Sequence, residues 1–252
     1  MLVHIDNPFA VFLLALILQG LSVLAGDLIR KRTHHFRQGE RHDFATVQAA
    51  TLTLLALITG FSFSMAVNRY DQRKTLEEAE ANAIATEYLR ADLLSGDIAS
   101  HTREQLRKYI ELRIAFYRAR DPRAADAIGQ RTASQQLELW SSVLPAANPP
   151  TPIAALVIAG MNDVINAQGY AQAAWWNRIP IGAWAMMLLM AISCNVLVGY
   201  GEQRKGSVIL LVLPVVISIA FFLIADLDSP RGGVIRVIPQ NLQAVAQSMQ
   251  PH

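Results

Sequence analysis

Four sets of residues carry the chemical possibilities of this chain. Glu77, Glu78, Glu80 and Glu87 offer carboxylates for acid–base work. His34, His35 and His42, with Glu40 and Asp43, offer donors of the kind that hold zinc. Asp226 and Asp228, in "DLDSPRGG", stand beside a Pro/Gly turn whose carbonyls could complete the oxygen shell of calcium. The fourth set is not catalytic. Thr53, Leu57 and Phe61 recur every four residues, and Ser64 and Asn68 continue the same side of a helix. A stripe of modest polarity at that spacing could line a path for something polar. The plainer reading is a helix end at headgroup depth, with Ser and Asn hydrogen-bonding to neighbouring helices.

The other three sets also have plainer readings. The chain contains no G-x-S-x-G, H-E-x-x-H, glycine-rich phosphate loop or C-x-x-C. The glutamates lie on a helix-forming run, where they read as a solvated face or as partners for Lys74 and Arg90. The histidines sit in a basic loop with Arg30, Lys31, Arg32, Arg37 and Arg41, which anionic headgroups would attract without a metal. The two aspartates read as the end of a helix broken by Ser-Pro and Gly-Gly. Neither an enzyme nor a cofactor or metal is expected, and the small net charge of +2 gives no reason to expect nucleic acid.

The elements that must position the stripe are membrane spans. Of 252 residues 52% are hydrophobic and only 17% charged, below the quarter or so of a soluble domain. Residues 7–26, 44–67, 179–201 and 206–225 carry no Asp, Glu, Lys or Arg, and each run is at least 20 residues long. About 20 residues at 1.5 Å rise cross a bilayer core. The first run lacks the positive start of a signal peptide and is expected to be retained. Cys194, the single cysteine, falls inside the third run as a packing residue. The expected architecture is all-α and multi-pass: a helix pair in 1–67, a helical extramembrane domain in 68–178, a second pair in 179–225 and a tail in 226–252.

Within the middle region, 72–94 has no Pro or Gly and is expected to continue the second span as one helix. Ala79, Ala81, Ala83 and Ala85 would let a neighbour approach it closely. "SGD" at 95–97 should stop it. A capping box at Thr102 and Gln105 predicts the next helix from about 101, burying Leu106, Tyr109, Ile110, Ile114 and Tyr117. A third should run over 122–143 with Leu137, Trp140 and Leu144 on its buried side. After the breaker at 145–152, residues 153–177 read as an amphipathic helix leading to the third span. Trp175, Trp176, Arg178 and Trp184 are expected at the membrane interface. The loops at 27–43 and 202–205 carry the excess of Lys and Arg, which would put them in the cytoplasm and the middle region outside.

Gly60, Phe61, Arg69, Tyr70 and Gln72 resemble the second transmembrane helix of bestrophin anion channels in type and spacing. The order of two spans, a helical domain, two spans and an acidic turn is similar too. "GFSFSMAVNRY", "EANAIATEYLRADLL" and "DLDSPRGG" together resemble the bestrophin-like family of bacterial membrane proteins. The resemblance implies a homo-oligomer, a pentamer, in the bacterial inner membrane, passing chloride or another small anion. It implies a pore within residues 50–72, with Thr53, Leu57 and Phe61 as its apolar neck and Ser64 and Asn68 continuing the lining. Arg69 and Arg73, repeated by symmetry, would form a positive mouth. Asp226 and Asp228 would correspond to a calcium clasp, although Arg231 stands where the family has Phe and the completing acidic run is missing. The resemblance places the middle domain in the cytoplasm, opposite to the loop charges. A non-conducting membrane sensor or scaffold, whose helical domain binds a partner, is the alternative.

Overall fold

A computed structural model describes residues 7–33, 38–201 and 209–250. His34, His35 and the 202–205 loop lie outside them, as does the side chain of Glu40. The described residues contain helices and no strand: α1 (Pro8–Arg32), α2 (Gln38–Arg90), α3 (Gly96–Arg118), α4 (Pro122–Val143), α5 (Pro152–Trp176), α6 (Ile181–Gly201), α7 (Ile209–Asp228) and α8 (Gln240–Ser248). Their starts follow local chemistry. Asn7, Asp121 and Thr151 each cap a helix whose first residue is proline, accepting the otherwise unpaired N–H groups of the first turn. Among the described residues four stretches are long and apolar enough to cross a membrane, within Pro8–Arg32, Arg41–Leu93, Pro152–Gly201 and Leu210–Asp228.

The chain divides into two compact units, 1–69 with 178–235 and 70–177 with 236–252. In the first, α1 packs on α6 and α7. Glycine makes the α1–α6 contact possible. A Cβ on Gly199 would lie 2.0 Å from the Val23 carbonyl oxygen, and one on Gly26 2.1 Å from that of Val196. Small residues allow this approach where lipid supplies no hydrophobic drive between helices. Gly199→Leu must therefore separate α1 from α6, at a cost of about 1–3 kcal/mol. The melting temperature in detergent should fall by several degrees. Gly182→Ala, where an added Cβ meets nothing within 4 Å, should leave it unchanged.

The second unit is a helical bundle around Ile84 of α2, Leu106, Tyr109 and Ile110 of α3, Leu139 and Val143 of α4, Val157, Met161 and Val164 of α5 and Leu242 of α8. The five apolar residues expected on α3 are buried. The start of α3 differs: the helix begins at Gly96, after a short 3-10 turn over Ala91–Leu93. Thr102 is therefore not a cap; its hydroxyl donates to the Ser142 carbonyl at 3.4 Å.

The α4 face is also corrected. Leu137, Trp140 and Leu144 are exposed, and Ala125, Thr132, Leu139, Ser142 and Val143 are buried instead. Small and amide side chains let α3 and α4 approach and bond, Gln135 Nε2 donating to Gln105 Oε1 at 2.7 Å. Trp175 is likewise buried, its ring 5.1 Å from Phe116 and 5.4 Å from Tyr117.

Candidate functional site

The stripe of the second span lies within α2, which is unbroken from Gln38 to Arg90. At 3.6 residues per turn, Thr53, Leu57, Phe61, Ser64 and Asn68 fall within an arc of about 80°. All five are exposed, Phe61 by 65% and Leu57 by 50%. Leu55, Ser62 and Ala66, on the opposite side, are buried. Thr53 presents less polarity than its type suggests. Its hydroxyl donates to the Ala49 carbonyl at 2.9 Å, which satisfies it within the helix.

Arg69 and Arg73 are not on this arc. Four residues apart, they share the side that the buried residues occupy. Arg69 is half-buried, its Nη2 3.8 Å from the Met65 sulfur. Arg73 is 2% exposed, and its Nε donates to the Ala174 carbonyl at 3.4 Å. Arg90, at the end of α2, lies within about 20° of the arc, and the other charges so placed are carboxylates: Asp43 before it, and Asp71 and Glu78 after it. All three carboxylates are exposed. Spacing along a helix could have shown this, since only the arc's own angle is needed to see which charges share it.

The glutamates depart from a solvated face. Glu78 is exposed, but Glu77, Glu80 and Glu87 are buried. Glu77 holds the start of α8, its carboxylate accepting from the Leu242 N–H at 3.0 Å and from Asn241 Nδ2 at 2.7 Å. Glu80 pairs with Arg113, and also accepts from the Tyr117 hydroxyl at 3.2 Å. Burial and then the Glu80 charge raise the Tyr117 hydroxyl well above the usual tyrosine range, so it remains a donor. Arg113 lies 4.6 Å over the Phe116 ring.

The acidic turn is held by backbone N–H groups, two of its own and one from the start of the third span. Asp226 accepts from the Val234 and Ile235 N–H groups at 2.7 and 2.8 Å, one on each carboxylate oxygen. Asp228 accepts from the Ile179 N–H at 2.9 Å. Each aspartate therefore has a structural task. Among the described residues no three His, Cys, Asp or Glu side chains are grouped as metal ligands would be.

A buried polar cluster in the first unit lies outside the residues that the sequence motifs single out. Gln19 of α1 donates to Ser218 of α7 at 3.2 Å and accepts from Asn195 of α6 at 3.1 Å. The available signal was a Gln and an Asn inside otherwise charge-free spans, positions that cost free energy in lipid unless they find partners.

The model of the bestrophin-like domain matches residues 16–242. The chain belongs to the bestrophin-like family. It is a membrane protein of an anion-channel family rather than of an enzyme family. No curated protein sequence matches this one. Among solved structures, a bacterial bestrophin homologue from Klebsiella pneumoniae, determined by Zn-SAD phasing, is similar with TM-score 0.63 at 15% identity. The alignment covers 96% of this chain and 95% of that one. A single-substitution variant of the Klebsiella pneumoniae homologue gives TM-score 0.64 at 12% identity, with the same coverage. At such identities the likeness is one of fold, and it extends over almost the whole bestrophin-like chain.

Proposed function

We propose that this bestrophin-like chain forms an oligomeric ion channel in which the α2 arc from Thr53 to Asn68 faces the pore. The observation that carries the reading is the arc itself: five residues on one side of a membrane-spanning helix, none covered by the chain's own packing. Repetition about an axis would bring Leu57 and Phe61 of several copies together as an apolar constriction, which controls passage by dewetting. Thr53, with its hydroxyl turned into the helix, suits the same neck. Ser64 and Asn68 continue it as a polar section. The membrane is the bacterial inner membrane, and the assembly a homo-oligomer, with five copies implied by the resemblance.

The expected ion is chloride or another small anion, as the family suggests. Arg69 and Arg73 do not strengthen that preference from the arc, where Asp71 and Glu78 oppose it. Anion selectivity is therefore weak in the native protein. In planar bilayers under a KCl gradient, Asp71→Asn with Glu78→Gln should shift the reversal potential towards that of chloride, since carboxylates near a path attract cations. An unchanged potential would remove these residues from the path. No conductance or flux from oligomeric protein under any voltage or pH would overturn the channel reading and favour a scaffold. Particle symmetry in detergent tests the assembly separately.

A further inference from the structure

Among the described residues, Glu87 is the buried carboxyl that the fold leaves without a hydrogen bond. Its side chain is fully buried, and both oxygens lack a donor. It lies in a notch that α5 opens by placing glycine opposite. A Cβ on Gly160 would lie 1.9 Å from Glu87 Oε2. The charged groups that face it are Arg90 from α2, whose Nη1 stands 3.8 Å from Oε2, and Asp163 from α5. The first is one turn along the same helix and partly exposed; the second has the same sign as an ionised Glu87. An ionised carboxylate here would have no hydrogen-bond donor and one partly exposed cation, Arg90 at 3.8 Å, to offset full burial and the nearby Asp163, so the neutral acid is the form the notch accommodates.

We propose that Glu87 is a proton-operated contact between α2 and α5: protonated, it seats against Gly160, and deprotonated, it drives the two helices apart to reach water. Burial, with Asp163 adding and Arg90 opposing, pushes Glu87 from the usual 4.5 up to about 8. Where the contact is open, Glu87 titrates near 4.5; where it is closed, near 8. Between those values the open form has lost its proton and the closed form has not, so rising pH favours opening. The contact is fully held below about 4.5, weakens by up to about tenfold per pH unit, and levels off above about 8. This does not depend on ion conduction.

The test is hydrogen–deuterium exchange of the full chain in detergent from about pH 5 to about pH 9, corrected for intrinsic exchange rates. Protection of α5 around Gly160 should fall roughly a hundredfold over two pH units inside the window and then flatten. Glu87→Gln, neutral and of the same shape, should remove the pH dependence. The same profile in Glu87→Gln would overturn the proposal. Infrared spectroscopy of the wild type keeps it testable even if that variant fails to fold. A protonated-carboxyl band at neutral pH, lost with a midpoint near 8, is expected, and its absence at neutral pH would overturn the proposal as well.

Discussion

Phe61→Ala is expected to raise ion flux through reconstituted protein by about tenfold or more, which corresponds to lowering the barrier by about 1.4 kcal/mol. The ring is 65% exposed on the α2 arc, so little of it packs within the chain. Removing it should leave the fold of the single chain intact while widening the narrowest apolar part of the proposed pore. A constriction that excludes water loses its barrier steeply as it widens, because water enters before the ion must shed its hydration. Phe63 provides the control. It is also exposed, two residues away on the same helix, but lies about 120° from the middle of the arc. Phe63→Ala should leave flux unchanged. Equal effects from the two substitutions would mean that Phe61 faces lipid or a neighbour rather than a path. Flux measured in liposomes, at matched protein content and oligomeric state, separates these outcomes.

The second large effect concerns stability. Glu80→Gln is expected to destabilise the second unit by about 3–5 kcal/mol, which for a unit of this size is a large part of its stability. Glu80 and Arg113 are both fully buried and paired. The guanidinium keeps its charge at any accessible pH, so an amide in place of the carboxylate leaves a buried cation without its counter-ion. The Tyr117 hydroxyl also loses its charged acceptor. Denaturant or thermal unfolding in mild detergent reads the change. Glu78→Gln, two residues earlier and exposed, should alter stability by no more than about 0.5 kcal/mol. Replacing Glu80 and Arg113 together by apolar residues should recover most of the loss, because no charge is then left buried. Failure of that recovery would show that the pair supports the fold through more than charge compensation.

These expectations mark where local reading ends. The glutamates at 77, 80 and 87 lie on a polar, helix-forming run, and nothing within that run announces burial. Their partners are the start of α8, an arginine on α3 and a glycine on α5. Each is brought close by folding from a distant part of the chain. The α4 helix makes the same point in reverse. Leu137 and Trp140 have the larger apolar surfaces, yet Thr132 and Ser142 are buried. Close approach to α3 and a hydrogen bond to Ser142 are available only on the side with small residues.

By itself the sequence determined the all-helical class, the charge-free spans and the continuity of α2. These depend on residue type and on periods of a few residues, the range over which helix propensity and lipid solubility act. It also determined which residues share the α2 arc, because helical pitch alone places them together. Only the tertiary structure decided that this arc is left uncovered while Arg73 is turned inward, that Asp226 holds its own turn while Asp228 takes the Ile179 N–H, and that Glu87 meets a glycine. The reason is physical. A buried polar group is stabilised by partners at hydrogen-bonding distance, and here those partners stand up to 199 positions away along the chain.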